Sequence, residues 1–155
     1  MDKRIVIGSD HGGYTLKKKI KSFLAEKGYK VIDSGTDSAE SCDYPLFGFN
    51  AAREVSRKKA DRGIVICKSG IGMSMVANKL PGVRAGLCLS KEDAVSSRQH
   101  NDANILVLAS NKTKGKKALE LVDIWLSTAF LKGRHARRVR QITAMEKKVF
   151  RKTIR

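Results

Sequence analysis

The run Gly63-Ile64-Val65-Ile66-Cys67 constrains this chain more than any other segment. It is continuous and apolar, β-branched from Ile64 to Ile66, with no alternation of apolar and polar residues. A strand without a polar face is covered on both sides, as in a parallel sheet held between layers of helices. The run gives way to Lys68-Ser69-Gly70-Ile71-Gly72, and a helical stretch continues through Asn78. Shorter blocks repeat the same arrangement. Ile5-Val6-Ile7 reads as a strand that ends in the turn Gly8 to Gly13. Leu16, Ile20, Phe23 and Leu24 then fall on one helical face, and Gly28 closes that helix from its C′ position. Val31-Ile32 is a second strand, followed by a loop from Ser34 to Asp43 and by a helix that Tyr44-Pro45 opens and that runs to about Lys59. Val83 to Leu89 and Ile105 to Leu108 read as two further strands, with a helix from Ser90 to about Arg98 between them. A helix from Lys116 to about Leu126 and a basic helix from about His135 follow.

Strands separated by helical stretches imply right-handed βαβ units. The expectation is an α/β chain with a three-layer α/β/α, Rossmann-like fold and a five-stranded, mainly parallel sheet. With no internal repeat, no low-complexity linker and only two prolines, residues 1–155 are expected to form one domain. No apolar run approaches the roughly 20 residues of a membrane span, and Met1-Asp2-Lys3-Arg4 leads into no signal-peptide core. A cytoplasmic location without membrane association is therefore expected. Cys42, Cys67 and Cys88 are too few and too widely spaced for a disulfide framework or a zinc site.

Charge is the unusual part of the composition. Lys and Arg total 32 against 15 acids, a net +17. The stretch from Lys132 to Arg155 carries Lys132, Arg134, Arg137, Arg138, Arg140, Lys147, Lys148, Arg151, Lys152 and Arg155, with Glu146 its one acid. Lys17, Lys18, Lys19 and Lys21 form a second cluster. Such an excess favours phosphorylated or polyanionic partners. Against a nucleic-acid partner, aromatic residues are only 6% of the chain, and the basic clusters carry no series of them that would make a stacking platform.

Ligands of open α/β sheets sit at the carboxyl ends of the strands. Three turns are assigned to that position: Ser9 to Gly13, Cys67 to Ser74, and the polar run Ser97 to Asn104 before the last strand. In the second turn, glycines let backbone N–H groups converge on a negative charge at a helix N-terminus. A cysteine directly before such a turn is a candidate thiolate. A base beside an anion hole suits removal of a proton next to a carbonyl, with the enediolate sheltered. Taken alone, each feature has a plainer reading. Cys67 is a small buried residue, Asp10 an N-cap, His100-Asn101 loop chemistry, and Arg134, Arg137 and Arg138 a solvated helix face. Together they form a coherent set for phosphate binding and proton transfer.

Six motifs occur in order. They are Ser9-Asp10-His11-Gly12-Gly13, Asp43-Tyr44-Pro45, Cys67-x-Ser69-Gly70-Ile71-Gly72-Met73-Ser74-x-x-Ala77-Asn78-Lys79, Gly82-Val83-Arg84-Ala85, Ser97-Arg98-x-His100-Asn101-Asp102-x-Asn104 and Gly133-Arg134-His135-x-x-Arg138-Val139. Together they resemble type B ribose-5-phosphate isomerases and their relatives, including allose and galactose 6-phosphate isomerases. The resemblance implies an aldose–ketose isomerase that needs no metal or cofactor and passes through a cis-enediolate. It implies Cys67 as the base and Ser69 as a hydroxyl aiding proton transfer between the sugar oxygens. Backbone N–H groups from Ser69 through Gly70, Ile71, Gly72 and Met73 to Ser74 become the anion hole. His100 assists ring opening, Asp10 and Asn101 bind sugar hydroxyls, and Tyr44 lines the pocket. His11, Arg134 and Arg138 hold the phosphate. The resemblance further implies a homodimer or a dimer of dimers, with His100 and its neighbours lent across the interface.

Two positions depart from the pattern. Lys68 stands where many relatives carry glycine, and it would be strained there if the turn needs a positive φ. Asn111-Lys112 stands where relatives often carry an arginine near the phosphate, so Lys112 would substitute as a point charge.

Overall fold

The computed structural model describes residues 4–153, and Arg155 of the basic tail lies outside them. Five strands, β1 (Arg4–Ser9), β2 (Lys30–Asp33), β3 (Arg62–Cys67), β4 (Ala85–Leu87) and β5 (Ile105–Ala109), form one sheet in the order β2-β1-β3-β5-β4. Every pairing is parallel. The helices are α1 (Tyr14–Glu26), α2 (Tyr44–Ser56), α3 (Ile71–Ala77), α4 (Lys91–Asn101), α5 (Gly115–Ser127) and α6 (Gly133–Thr153).

Side chains alternate across the strands and so build two cores. Ile5, Ile7, Ile64, Ile66, Leu106 and Leu108 face α1, α4 and α5, where Ile20, Leu24, Ala94, Leu121 and Trp125 are completely buried. Val6, Val65, Cys67, Ile105 and Val107 face α2 and α3, packing on Ala51, Ala52, Met73 and Ala77. These are the three layers expected from the continuous apolar strands.

Several boundaries differ from the sequence expectations, each for a local reason. The fourth strand shrinks from Val83–Leu89 to three residues because side chains take over its flanking backbone groups. Arg84 N–H donates to Asn104 Oδ1 and Ala85 N–H to Asn78 Oδ1, while Leu89 N–H donates to the Asp93 carboxylate. The second helix stops at Ser56 rather than Lys59, since Lys58 turns to φ +58°. The fourth helix starts on a reciprocal Ser90/Asp93 capping box and continues past Arg98 to Asn101, where Asp102 ends it at φ +46°. His100 and Asn101 therefore sit on a helix and not in a loop.

One polar contact inside this frame is costly to break. Lys17, 1% exposed, donates to Asp33 Oδ1 at 2.6 Å and to the Thr36 carbonyl at 2.8 Å. Lys21 and the Gly35 N–H also donate to Asp33. Burial pushes the Asp33 carboxyl up, but these hydrogen bonds and the Lys17 charge outweigh it and hold it below its ordinary range. A lowered folded pKa means that the stabilisation is complete above the unfolded carboxylate range and fades as pH falls through the folded value. Asp33→Ala is predicted to cost about 3 kcal/mol in urea unfolding at pH 7, because it leaves the Lys17 ammonium buried without its counter-charge. The difference from the parent should narrow as pH falls below the ordinary carboxylate range.

Candidate functional site

The carboxyl ends of β1, β3 and β5 converge. Asp10 N–H donates to the Ile66 carbonyl at 3.3 Å, Ser110 N–H to the Cys67 carbonyl at 2.9 Å, and Ser110 Oγ to the Gly12 carbonyl at 2.7 Å. The first two sequence turns are thus brought to one place, at the point where the chain order of the sheet reverses beside β1 and β3.

Cys67 closes β3 on the face covered by α2 and α3. It is 5% exposed, and its Sγ accepts a hydrogen bond from Gly70 N–H at 3.1 Å. That bond exists because the chain doubles back through Gly70 at φ +76°, a left-handed turn that also serves as the N-cap of α3. Cys67 is therefore both a packed residue and a hydrogen-bonded one. Ile71 N–H reaches back to Ser69 Oγ at 3.3 Å, and Ser74 N–H donates to the Gly70 carbonyl at 3.0 Å. Met73 buries its side chain completely in the core, which leaves only its backbone available to a ligand. Tyr44, the first residue of α2, leans over this turn, and a Cβ built on Gly72 would lie 2.5 Å from its ring. Asp10 is 6% exposed and caps the short turn His11–Gly13 by accepting from Gly13 N–H at 3.1 Å. His11 Nδ1 lies 3.2 Å from both the backbone N and O of Cys42, which ties the loop before α2 to the end of β1.

Lys68 does not take a positive φ, so a lysine in place of glycine brings no backbone strain. Its side-chain stem passes over Gly12, where an added Cβ would lie 2.6 Å from Lys68 Cγ. Of the other thiols, Cys88 is fully buried, and burial pushes it up to about 11. That leaves it poorly available as a thiolate at neutral pH.

The third turn is at the other end of the sheet, which corrects its assignment to the carboxyl ends. The run Ser97 to Asn104 precedes β5, and Gly63 N–H, at the start of β3, donates to the Asn104 carbonyl. From there to Cys67 is the length of the strand, about 15 Å at about 3.3 Å per residue. His100, Asn101, Arg134 and Arg138 gather at this second place. The rings of His100 and His135 stack with centroids 4.4 Å apart and planes 14° apart. Leu131 N–H donates to the Gln99 carbonyl, pinning the entry to α6 against the end of α4. Burial first, then His100, Arg134 and Arg138, lower the proton affinity of His135. One chain therefore unites Asp10, His11, Tyr44, Cys67 and Ser69 to Ser74, and separately His100, Asn101, Arg134 and Arg138.

Other motif residues serve the frame. Asp102 receives Arg84 at 3.0 Å and Arg98 at 2.9 Å, and Arg98, 5% exposed, also donates to the Ala103 carbonyl. Asn78 joins Ser74 and Ala85 through its amide. The pairing of His135 with His100 is new from the structure; the motif Gly133-Arg134-His135 carried that histidine without a role for it. Among the described residues, no group of three or more His, Cys, Asp or Glu is placed to hold a metal ion. No helix among them is long and apolar enough to cross a membrane.

A model of the ribose/galactose isomerase family matches residues 5–142. The chain belongs to this family. Ribose-5-phosphate isomerase B of Escherichia coli K12 is 43% identical over 146 residues, which cover 94% of this chain and 98% of that protein. The solved structure of ribose-5-phosphate isomerase B from Clostridium thermocellum superposes with a TM-score of 0.92 at 52% identity, covering 94% of this chain and 99% of that one. The Mycoplasma genitalium ribose-5-phosphate isomerase B, solved with bound ribulose-5-phosphate, gives a TM-score of 0.90 at 41% identity, covering 93% of this chain and 96% of that one. The five-stranded parallel architecture is thus the architecture of this isomerase family.

The left-handed turn after Cys67 can be tested without any substrate. Gly70→Ala places a Cβ 2.4 Å from Leu87 Cδ1 and forces φ +76° on an L side chain. Urea unfolding is predicted to show a loss of about 1–3 kcal/mol. A stability equal to the parent's would mean that the turn relaxes freely.

Proposed function

We propose that this isomerase interconverts ribose 5-phosphate and ribulose 5-phosphate, with Cys67 as the base, and that residues 1–155 act as one domain in the cytoplasm. The observation that carries this reading is the Cys67 Sγ held at the end of β3 by the Gly70 N–H, beside an exposed Ser69 hydroxyl and under Tyr44. The choice of substrate is supported by the relative solved with bound ribulose-5-phosphate, which aligns over 93% of this chain.

In this reading the Cys67 thiolate takes the C2 proton of the open aldose, and the electron pair left behind makes the C1–C2 double bond of a cis-enediolate. Negative charge then sits on the C1 oxygen. The Gly72 and Met73 N–H groups, second and third in α3, have no partner inside the helix and receive that charge. Return of the proton from Cys67 to C1, with Ser69 relaying the hydroxyl proton from the C2 oxygen to the C1 oxygen, completes the ketose. Asp10 binds a sugar hydroxyl, Tyr44 walls the pocket, and His11 faces the phosphate. Each step is carried by side chains and backbone N–H groups.

His100, Asn101, Arg134 and Arg138 enter this site from a second copy of the chain, in a homodimer or a dimer of dimers. Supporting that assembly, the two halves lie about a strand's length apart within one chain. Exposed apolar residues flank both: Leu46, Phe49, Ile71 and Met75 beside the Cys67 turn, and Ile142, Met145 and Val149 along α6. A twofold axis that brings one pair of halves together brings both pairs together. The partner's ring-opening group is then His100, with Asn101 on a sugar hydroxyl and the two arginines on the phosphate.

Cys67→Ala is predicted to abolish transfer of the ribose 5-phosphate C2 proton, followed by proton NMR in D2O, with the thermal melt preserved. Near-parental turnover in that variant would remove the thiol from the mechanism. The same assay run on allose and galactose 6-phosphates ranks six-carbon substrates against ribose 5-phosphate.

A further inference from the structure

We infer that His135 is a positioning residue, a fixed ring on which His100 is laid flat so that its nitrogens face the substrate of the neighbouring copy. The inference rests on the ring-opening role proposed for His100 and adds a residue to it.

His100 is exposed, in the last turn of α4. Among the described residues, neither of its ring nitrogens has a hydrogen-bond partner, so no hydrogen bond from them orients the ring. An exposed side chain of this kind exchanges rotamers freely. What holds it is the stack on His135, 4.4 Å between centroids and 14° between planes. His135 is the anchored member, 8% exposed against an exposed His100. Its place is set by the tight entry to α6. Lys132 and Gly133 both take positive φ, +59° and +54°, His135 N–H donates to the Lys132 carbonyl, and Leu131 N–H holds the Gln99 carbonyl beside His100. The lowered proton affinity of His135 fits this role, because an uncharged inner ring does not repel His100 when His100 carries a proton.

Ring opening can be separated from proton transfer by the choice of substrate. Ribose 5-phosphate closes a furanose through its C4 oxygen and must be opened. Ribulose 5-phosphate would need its C5 oxygen to close a five-membered ring, and that oxygen is esterified, so it remains acyclic. Exchange of its C1 proton with D2O therefore reports proton transfer without ring opening. His135→Ala is expected to lower kcat on ribose 5-phosphate by about 10- to 100-fold, as a misplaced group does, while C1 exchange on ribulose 5-phosphate stays near the parental rate. His135→Phe keeps a flat ring and is expected to restore most of the lost turnover. In proton NMR, the His100 Cε1–H resonance should move in His135→Ala and much less in His135→Phe.

Equal losses on both substrates, no loss on either, or a His135→Phe variant as impaired as His135→Ala would each overturn the positioning role. His100→Ala tells the two levels apart. If it keeps full turnover of ribose 5-phosphate, the role of His100 fails and that of His135 falls with it. If it is impaired while His135→Ala is not, the positioning role alone is wrong.

Discussion

Parallel pairing of every strand in the sheet is the constraint on which the rest of this molecule depends. When all strands run one way, the turns after them gather at one edge and the turns before them at the other. Asp10 and Ser110 follow β1 and β5, and their N–H groups donate to the Ile66 and Cys67 carbonyls at the end of β3. Asn104 precedes β5 and is joined instead to the start of β3. The chemistry as proposed draws on two copies, and the separation of these two edges within one chain supports that reading.

The polar residues of the motifs divide between chemistry and architecture. Asp102 is the junction of the second group, drawing together Arg84 from the approach to β4 and Arg98 from α4. That clamp ends α4 at the right length for its last turn to present His100 and Asn101. At the opposite edge, Gly70 plays the comparable part by turning its N–H onto Cys67 Sγ. A buried thiol and an exposed imidazole are in this way both presented by the turns and helix ends beside them. The positive charge, +17 in all, is concentrated where a phosphate is proposed to bind only in part. Much of the remainder sits on exposed lysines, and the buried Lys17 is paired with Asp33 inside the frame.

Much of this was legible in the residues. The unbroken apolar run Ile64-Val65-Ile66 announces a strand covered on both faces, and both cores are built on it. The amphipathic spacing of Leu16, Ile20 and Leu24 places α1 correctly, because burial alone decides that face. What was not legible is where side chains replace backbone partners. Asn78 and Asn104 shorten β4 through side-chain amide oxygens that accept from Ala85 and Arg84, bonds that no periodic pattern announces. The polarity of Ser97 to Asn104 likewise reads as a loop, yet α4, started by the Ser90/Asp93 capping box and ended at Asp102, takes in Ser97 to Asn101. Assigning that run to the carboxyl edge failed for a topological reason, since residues just before a strand lie at its amino end. The stack of His135 on His100 joins two helices and leaves no periodic trace in the sequence.

Each site is proposed to combine the Cys67 edge of one copy with the His100 edge of another. Mixing two inactive variants, Cys67→Ala and His100→Ala, after co-unfolding and refolding tests this directly. In a mixed dimer, one site inherits both substitutions and the other inherits neither. Equal mixing should therefore restore about a quarter of parental activity on ribose 5-phosphate, from half the dimers with one intact site each. Activity that stays at the level of the separate variants would contradict the account, because both groups would then belong to the same chain's site.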